Sequence, residues 1–128
     1  MKYEESLQIA YVEWLDIQAN LHPEKNLQFG FHCPNGEKRH IATARKLKRM
    51  GVRRGVPDIM FLSQGSYYIE NIKYVFKGLV IEFKSPKGKL SADQKLWLDF
   101  LKNSDFLTFT TSNLDHAMTL TSKYFKLT

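Results

Sequence analysis

Asp58, which follows Pro57, and the run Glu82-Phe83-Lys84 hold the residues of this chain best suited by type and spacing to chemistry. Side chains two apart on a strand share a face, so Glu82 and Lys84 project together while Phe83 points into the opposite layer. If a strand beginning at Asp58 pairs with a strand from Leu79, two carboxylates and a lysine converge. Such a cluster suits metal-assisted phosphodiester hydrolysis. Asp58 and Glu82 offer hard oxygen ligands to Mg²⁺, whose charge offsets the negative charge that develops on phosphate. Lys84 is placed to orient or polarise the attacking water. So short a pattern more often means a surface aspartate and an ordinary Glu–Lys pair near strand ends, and its neighbours must decide.

The elements that would position these residues are legible in the pattern. Residues 4–21 place Leu7, Ala10, Tyr11, Trp14, Leu15, Ile17 and Leu21 on one broad helical face, with Ile9 and Val12 as apolar exceptions, and Pro23 ends the helix. Leu27, Phe29 and Phe31 alternate with polar or small residues, which predicts a short strand over 26–36 that closes in the turn Pro34-Asn35-Gly36. A basic helix is expected over 43–50, with Gly51 where a C-cap glycine falls. Strands follow at 58–62 and 79–84, and the Tyr-rich, β-branched stretch 64–77 between them can extend their hairpin. Ser91 and Gln94 have the spacing of a capping box, opening a helix whose buried face is Leu96, Trp97, Phe100 and Leu101. A strand over 107–111 and a last helix from Ser112 through Ala117, Leu120 and Tyr124 complete the order. Trp14, Trp97, Phe100 and Tyr124 read as core residues, not base-stacking ones.

Charge narrows the partners. The chain has 128 residues and a net charge of +6, and residues 37–54 contain eight basic residues and one acidic, so this segment supplies the whole excess. A basic run is usually a solvated helix face, but this one leads directly into Asp58. Phosphate contact is therefore expected of Arg39, Lys46, Arg49, Arg53 and Arg54, with Lys87 and Lys89 extending the surface. The lone Cys33 excludes an internal disulfide framework and argues for a reducing, intracellular compartment. The start MKYEESLQ is not that of a signal peptide, and no run has membrane-spanning length. His32, Cys33 and His40 are too few and too loosely spaced for structural zinc. No phosphate-binding loop of the nucleotide-hydrolysing kind occurs, so no nucleotide cofactor is expected.

Three blocks in order, residues 48–58 (KRMGVRRGVPD), 78–84 (GLVIEFK) and 90–94 (LSADQ), resemble the VRR-NUC (virus-type replication-repair nuclease) family of the PD-(D/E)xK superfamily. Glu5-Ser6-Leu7-Gln8 is similar to the family's N-terminal E-x-x-Q, and Pro34-Asn35-Gly36 with Arg39 to its P-N-G-x-x-R element. The likeness spans nearly the whole chain and implies one domain over 1–128 of the α/β class. Its core would be restriction-endonuclease-like, a central mixed β-sheet flanked by α-helices. It implies DNA cleavage dependent on Mg²⁺ or Mn²⁺, with Asp58, Glu82 and the Phe83 carbonyl as metal ligands, Lys84 catalytic, and Glu5 an auxiliary acidic ligand in preference to Glu4. Gln94 would support the site or contact DNA, cap its helix, or do both. The stretch 63–77 departs from the shorter connector of the family and leaves its strand pairing open. Compact members resemble phage proteins that dimerise and resolve four-way junctions, which makes branched DNA the expected substrate, a homodimer the expected assembly, and the cytoplasm of a phage or bacterial host cell the expected place. A flap- or single-strand-directed nuclease and a non-catalytic DNA-binding module are the alternatives.

Overall fold

Leu7, Tyr11 and Leu15, spaced by four, are the buried line of the first helix, α1 (Tyr3–Leu21), and they seat it against the last, α4 (Leu114–Phe125). The computed structural model describes residues 2–34 and 40–127. In α4 the buried set is Ala117, Leu120, Thr121, Tyr124 and Phe125, a helical 3–4 spacing of the kind that packs one stripe inward. Ile17 and Leu21, expected on the buried face of α1, are exposed, because the buried line Leu7, Tyr11, Leu15 continues through Ala19 and leaves them off its phase. One polar contact is sealed between the two helices. The Thr121 hydroxyl donates to the Ala117 carbonyl at 2.8 Å, so at its 2.7 Å contact with Tyr11 it accepts, and the Tyr11 hydroxyl is the donor. Burial holds the Tyr11 hydroxyl in its neutral form, raising its pKa.

After α1 the chain departs from the expected strand. Pro23 opens a short 3-10 turn, Asn26 adopts a left-handed conformation (φ 65°), and Leu27–Phe29 form a second 3-10 turn. These break the extended run, so the alternation of Leu27, Phe29 and Phe31 yields one buried residue, Leu27, and a single bridge from Phe31 to Met60. The remainder of the Pro34-Asn35-Gly36 turn, and Arg39, lie outside the described residues. Helix α2 (Ile41–Arg49) ends at Gly51, whose φ of 108° suits only glycine.

A three-stranded sheet holds the centre, in the order β1 (Ile59–Phe61), β4 (Gly78–Phe83), β5 (Phe106–Thr111). The β1–β4 pair is antiparallel, with Ile59 opposite Ile81, and β4–β5 is parallel, with Glu82 beside Thr110, so the sheet is mixed. Stretch 64–77 forms a hairpin of its own, β2 (Gly65–Ile69) with β3 (Ile72–Phe76). Glu70 and Asn71, both at positive φ, make its two-residue turn, the geometry that matches strand twist. Between the two ladders residues 62–64 face only 77 and 78, one extra residue on one side as in a bulge, and the pairing is interrupted there.

Period-two burial gives the sheet two working faces. Ile59, Phe61, Leu79, Ile81, Phe83 and Leu107 join the α1/α4 core, each burial contributing about 1.5–3 kcal/mol. Val80 and Glu82 alternate with them onto the other face, where α3 (Ala92–Asn103) packs against β5. This face is small, and it does not bury the apolar stripe expected of α3. Leu101 is buried and Trp97 half-buried, but Leu96 and Phe100 are exposed at 68% and 61%. No helix among the described residues is long and apolar enough to cross a membrane.

Candidate active site

The antiparallel register brings the acidic residues together. With Ile59 opposite Ile81, Asp58 at the head of β1 falls beside Glu82 of β4, although 24 positions separate them in the chain. The Phe83 side chain is fully buried, its ring 5.5 Å from that of Tyr11, and this anchor fixes the peptide that precedes it. The Phe83 N–H donates to Asp58 Oδ2 at 2.8 Å. One apolar side chain therefore clamps the β4 backbone where it orients a carboxylate of β1.

Glu82 is 3% exposed, which for a carboxylate demands partners. Gln94 supplies one. Its Oε1 accepts from the Ser91 N–H at 2.8 Å, the Ser91 hydroxyl accepts from the Gln94 N–H at 3.1 Å, and its Nε2 donates to Glu82 Oε2 at 3.1 Å. Because the capping bond occupies the oxygen, the amide orientation is fixed and its donor end faces Glu82. One amide thus caps α3 with its oxygen and bonds Glu82 with its nitrogen. The loop carrying Arg53 and Arg54 is held to the same corner. Gly55, at φ 81°, lies so close to the Asp93 backbone and the Gln94 nitrogen that no side chain fits between them.

Both carboxylates hold protons unusually well. Burial pushes Glu82 up to about 8, and the charge of Asp58 adds to the rise, while Lys84 opposes it. Asp58 is also raised, chiefly by burial, against the opposing pull of the Phe83 N–H and of His32. Lys84, two residues beyond Glu82, is half-buried, and its backbone N–H continues the sheet by donating to the Thr111 carbonyl at 2.9 Å.

Of the two helical glutamates, the structure brings the neighbour of the expected one to the site. Glu4, not Glu5, faces this end of the sheet, with Oε2 accepting from the Ser85 N–H at 3.2 Å and its charge acting on Asp58. The reason is helical phase: Glu4 leads Leu7, Tyr11 and Leu15 on the buried line, whereas Glu5 is exposed. A second neighbour was not anticipated in this role. His32, weighed only for zinc, has Nδ1 2.6 Å from the Asp58 carbonyl oxygen, held there by the Phe31–Met60 bridge. A histidine in a run expected to be an ordinary strand gives no sequence signal of that contact. Among the described residues no three His, Cys, Asp or Glu side chains group as a metal cage.

Of the expected phosphate contacts, Lys46, Arg49, Arg53, Arg54, Lys87 and Lys89 are all exposed. Arg53 and Arg54 sit in the loop that Gly55 docks on α3. Lys87 and Lys89 sit between Ser85, which meets Glu4, and Ser91, which caps α3. Helix α2 buries none of its residues, so Lys46 and Arg49 project from an element the core does not hold.

The family model described as the VRR-NUC domain matches residues 2–111. The chain belongs to the VRR-NUC family. A nuclease-type function and a DNA substrate go with that membership. A solved structure described as a VRR_NUC domain protein is 21% identical and superimposes with a TM-score of 0.69, covering 99% of this chain and 91% of its own, which shows that the VRR-NUC fold is shared. No curated protein matches the chain closely enough to count as a relative.

Proposed function

We propose that this VRR-NUC chain is a divalent-metal-dependent, structure-specific DNA endonuclease that resolves four-way junctions as a homodimer. The observation that carries the catalytic part is the meeting of Asp58 and Glu82 on paired strands, with Lys84 on the Glu82 face and Gln94 bonded to Glu82. A buried carboxylate, Glu82, beside a half-buried one, Asp58, both with raised pKa, forms a site short of positive charge, and hard oxygen donors suit Mg²⁺ or Mn²⁺. Asp58, Glu82 and the Phe83 carbonyl would hold the ion, with Glu4 nearest among the helical carboxylates. Bound there, it supplies charge to offset that developing on the phosphate.

The chain's own groups do the rest. Lys84 orients the attacking water, whose oxygen adds to phosphorus and loses a proton to solvent, while one P–O ester bond breaks and the departing sugar oxygen takes up a proton from solvent. Gln94 keeps Glu82 in place, and the Phe83 N–H keeps Asp58 in place. Arg53, Arg54, Lys87 and Lys89 neutralise the backbone on either side, a grip that reads no sequence. The dimer reading draws support from Leu96 and Phe100, an exposed apolar pair on α3 that a second copy would cover.

Labelled four-way junction, flap and linear duplex, incubated with the protein in Mg²⁺, test the proposal alongside Glu82→Ala and Lys84→Ala. Paired symmetric nicks on the junction, lost in both variants, are expected. Cleavage confined to the flap or to single strands would replace the junction reading, and binding without cleavage under varied metals would make the chain a DNA-binding module.

A further inference from the structure

Outside the basic segment the chain carries a net charge of −1, which conceals a local concentration of lysines. The fold collects Lys25, Lys73 and Lys126, far apart in sequence, onto the walls of one groove of about 500 Å³. Lys25 comes from the first 3-10 turn, Lys73 from β3, and Lys126 from the end of α4. Glu24 is the one carboxylate among the described lining residues. None of the three lysines has a carboxylate partner among the described residues.

The floor of the groove is built, not incidental. The Tyr124 hydroxyl donates to the Ser63 carbonyl at 2.8 Å, and its ring packs so tightly on Gly65 that a side chain there would collide. Ser66, 9% exposed, lies in the same wall. The hairpin and the end of α4 are therefore locked together, and Lys73 and Lys126 are carried on fixed backbone. Gathering three like charges against one carboxylate, Glu24, is unfavourable unless a further anion joins them.

The groove adjoins the far end of β1 from the catalytic pair. Ser63 is five residues beyond Asp58, a separation of at most about 16 Å, since only residues 59–61 of that stretch are extended strand. A DNA strand advances about 3.4 Å per nucleotide, so that separation is at most about five nucleotide steps.

We infer that the lysine groove formed by the first 3-10 turn, the β2–β3 hairpin and the end of α4 is a second phosphodiester-backbone site, gripping DNA up to about five nucleotides from the point of cleavage. The inference rests on the DNA-nuclease reading and adds to it a footprint longer than the active site itself. A substrate held at both places presents a long, rigid arm across the sheet, which a minimal duplex does not offer.

The test uses the full chain and a triple variant, Lys25→Gln with Lys73→Gln and Lys126→Gln, side chains exposed enough to leave the core alone. Binding of a labelled four-way junction is followed by anisotropy in EDTA over a salt series, so that no cleavage is needed for the readout. Each lost phosphate contact lowers the slope of log affinity against log salt by about 0.9, so a fall of 2 to 3 is expected, with affinity reduced about tenfold or more. Glu24→Lys should shift affinity the other way. A minimal duplex ending within three base pairs of the scission point should be cleaved equally by wild type and triple variant. Unchanged slope and affinity in the triple variant would overturn the second site and leave the nuclease reading standing. Absence of any metal-dependent cleavage by the wild type would instead strike the nuclease reading, and the binding series would still decide the groove.

Discussion

Replacing Glu82 with glutamine should make the metal-free protein more stable at alkaline pH while abolishing its response to divalent metal. Glu82 is 3% exposed, and burial with the nearby Asp58 charge raises it from 4.5 to about 8. A carboxylate whose folded pKa is raised contributes stability that is fully present below its unfolded value and is lost as pH rises through the folded value. The loss therefore runs from about pH 4.5 to about pH 8. At about 1.4 kcal/mol per unit the full shift corresponds to about 5 kcal/mol, an upper limit. Asp58 shares the repulsion, which leaves on the order of 3 kcal/mol to the Glu82 charge. Glutamine has the shape of the protonated acid, can still accept from Gln94, and can donate to Asp58, so it removes the charge and keeps the bonds. For a chain of this size roughly 4 °C accompanies each kcal/mol, so the melting temperature at pH 8.5 in EDTA should rise by about 10 °C. At pH 4 the two proteins should melt together. Calorimetry with and without Mg²⁺ completes the assay: the wild type should gain stability from the ion at pH 8.5, and the variant should not. Equal melting temperatures at pH 8.5, or equal stabilisation by Mg²⁺, would refute the reasoning.

The other expectations concern groups around that pair. Gln94→Ala removes both a helix cap and the donor to Glu82, costing about 1–2 kcal/mol of stability by denaturant melts and lowering cleavage, whereas Ser91→Ala should cost similar stability and leave more activity. In the α1–α4 contact, Thr121→Val leaves the buried Tyr11 hydroxyl without its acceptor and should cost about 1–3 kcal/mol, more than Tyr11→Phe, which leaves Thr121 bonded to Ala117. Phe100→Asp, at an exposed position on α3, should leave the melting temperature within a few degrees of wild type while converting a dimer to a monomer by light scattering.

Local chemistry was the most legible part of the sequence. The Ser91–Gln94 capping box, the Gly51 stop and the strand around Glu82 depend on neighbours within a few positions, and each forms. The Asp58–Glu82 convergence needed only strand pairing and period-two alternation, both of which the pattern carries. Phase along a helix was less legible. Glu4 and Glu5 are adjacent, and only the packing of Tyr11 on Phe83 decides which turns toward the sheet. Residues 26–31 alternate as a strand does, but Pro23 and the left-handed Asn26 win locally and leave a single bridge. Leu96 and Phe100 fit a buried stripe in sequence because periodicity reports an apolar face without reporting what covers it. His32 beside Asp58 and the three groove lysines are gathered by tertiary structure from separate segments, and no local spacing announces them.

The most direct measurement of the catalytic claim is the cleavage rate of a labelled four-way junction as Mg²⁺ is titrated into EDTA-treated protein, for the wild type and for Asp58→Asn, with binding of the same junction measured in EDTA. The account predicts cleavage that appears only with the metal in the wild type, falls by at least about a hundredfold in Asp58→Asn, and is lost without loss of DNA affinity. Metal-independent cleavage, or Asp58→Asn cutting at the wild-type rate, would contradict it.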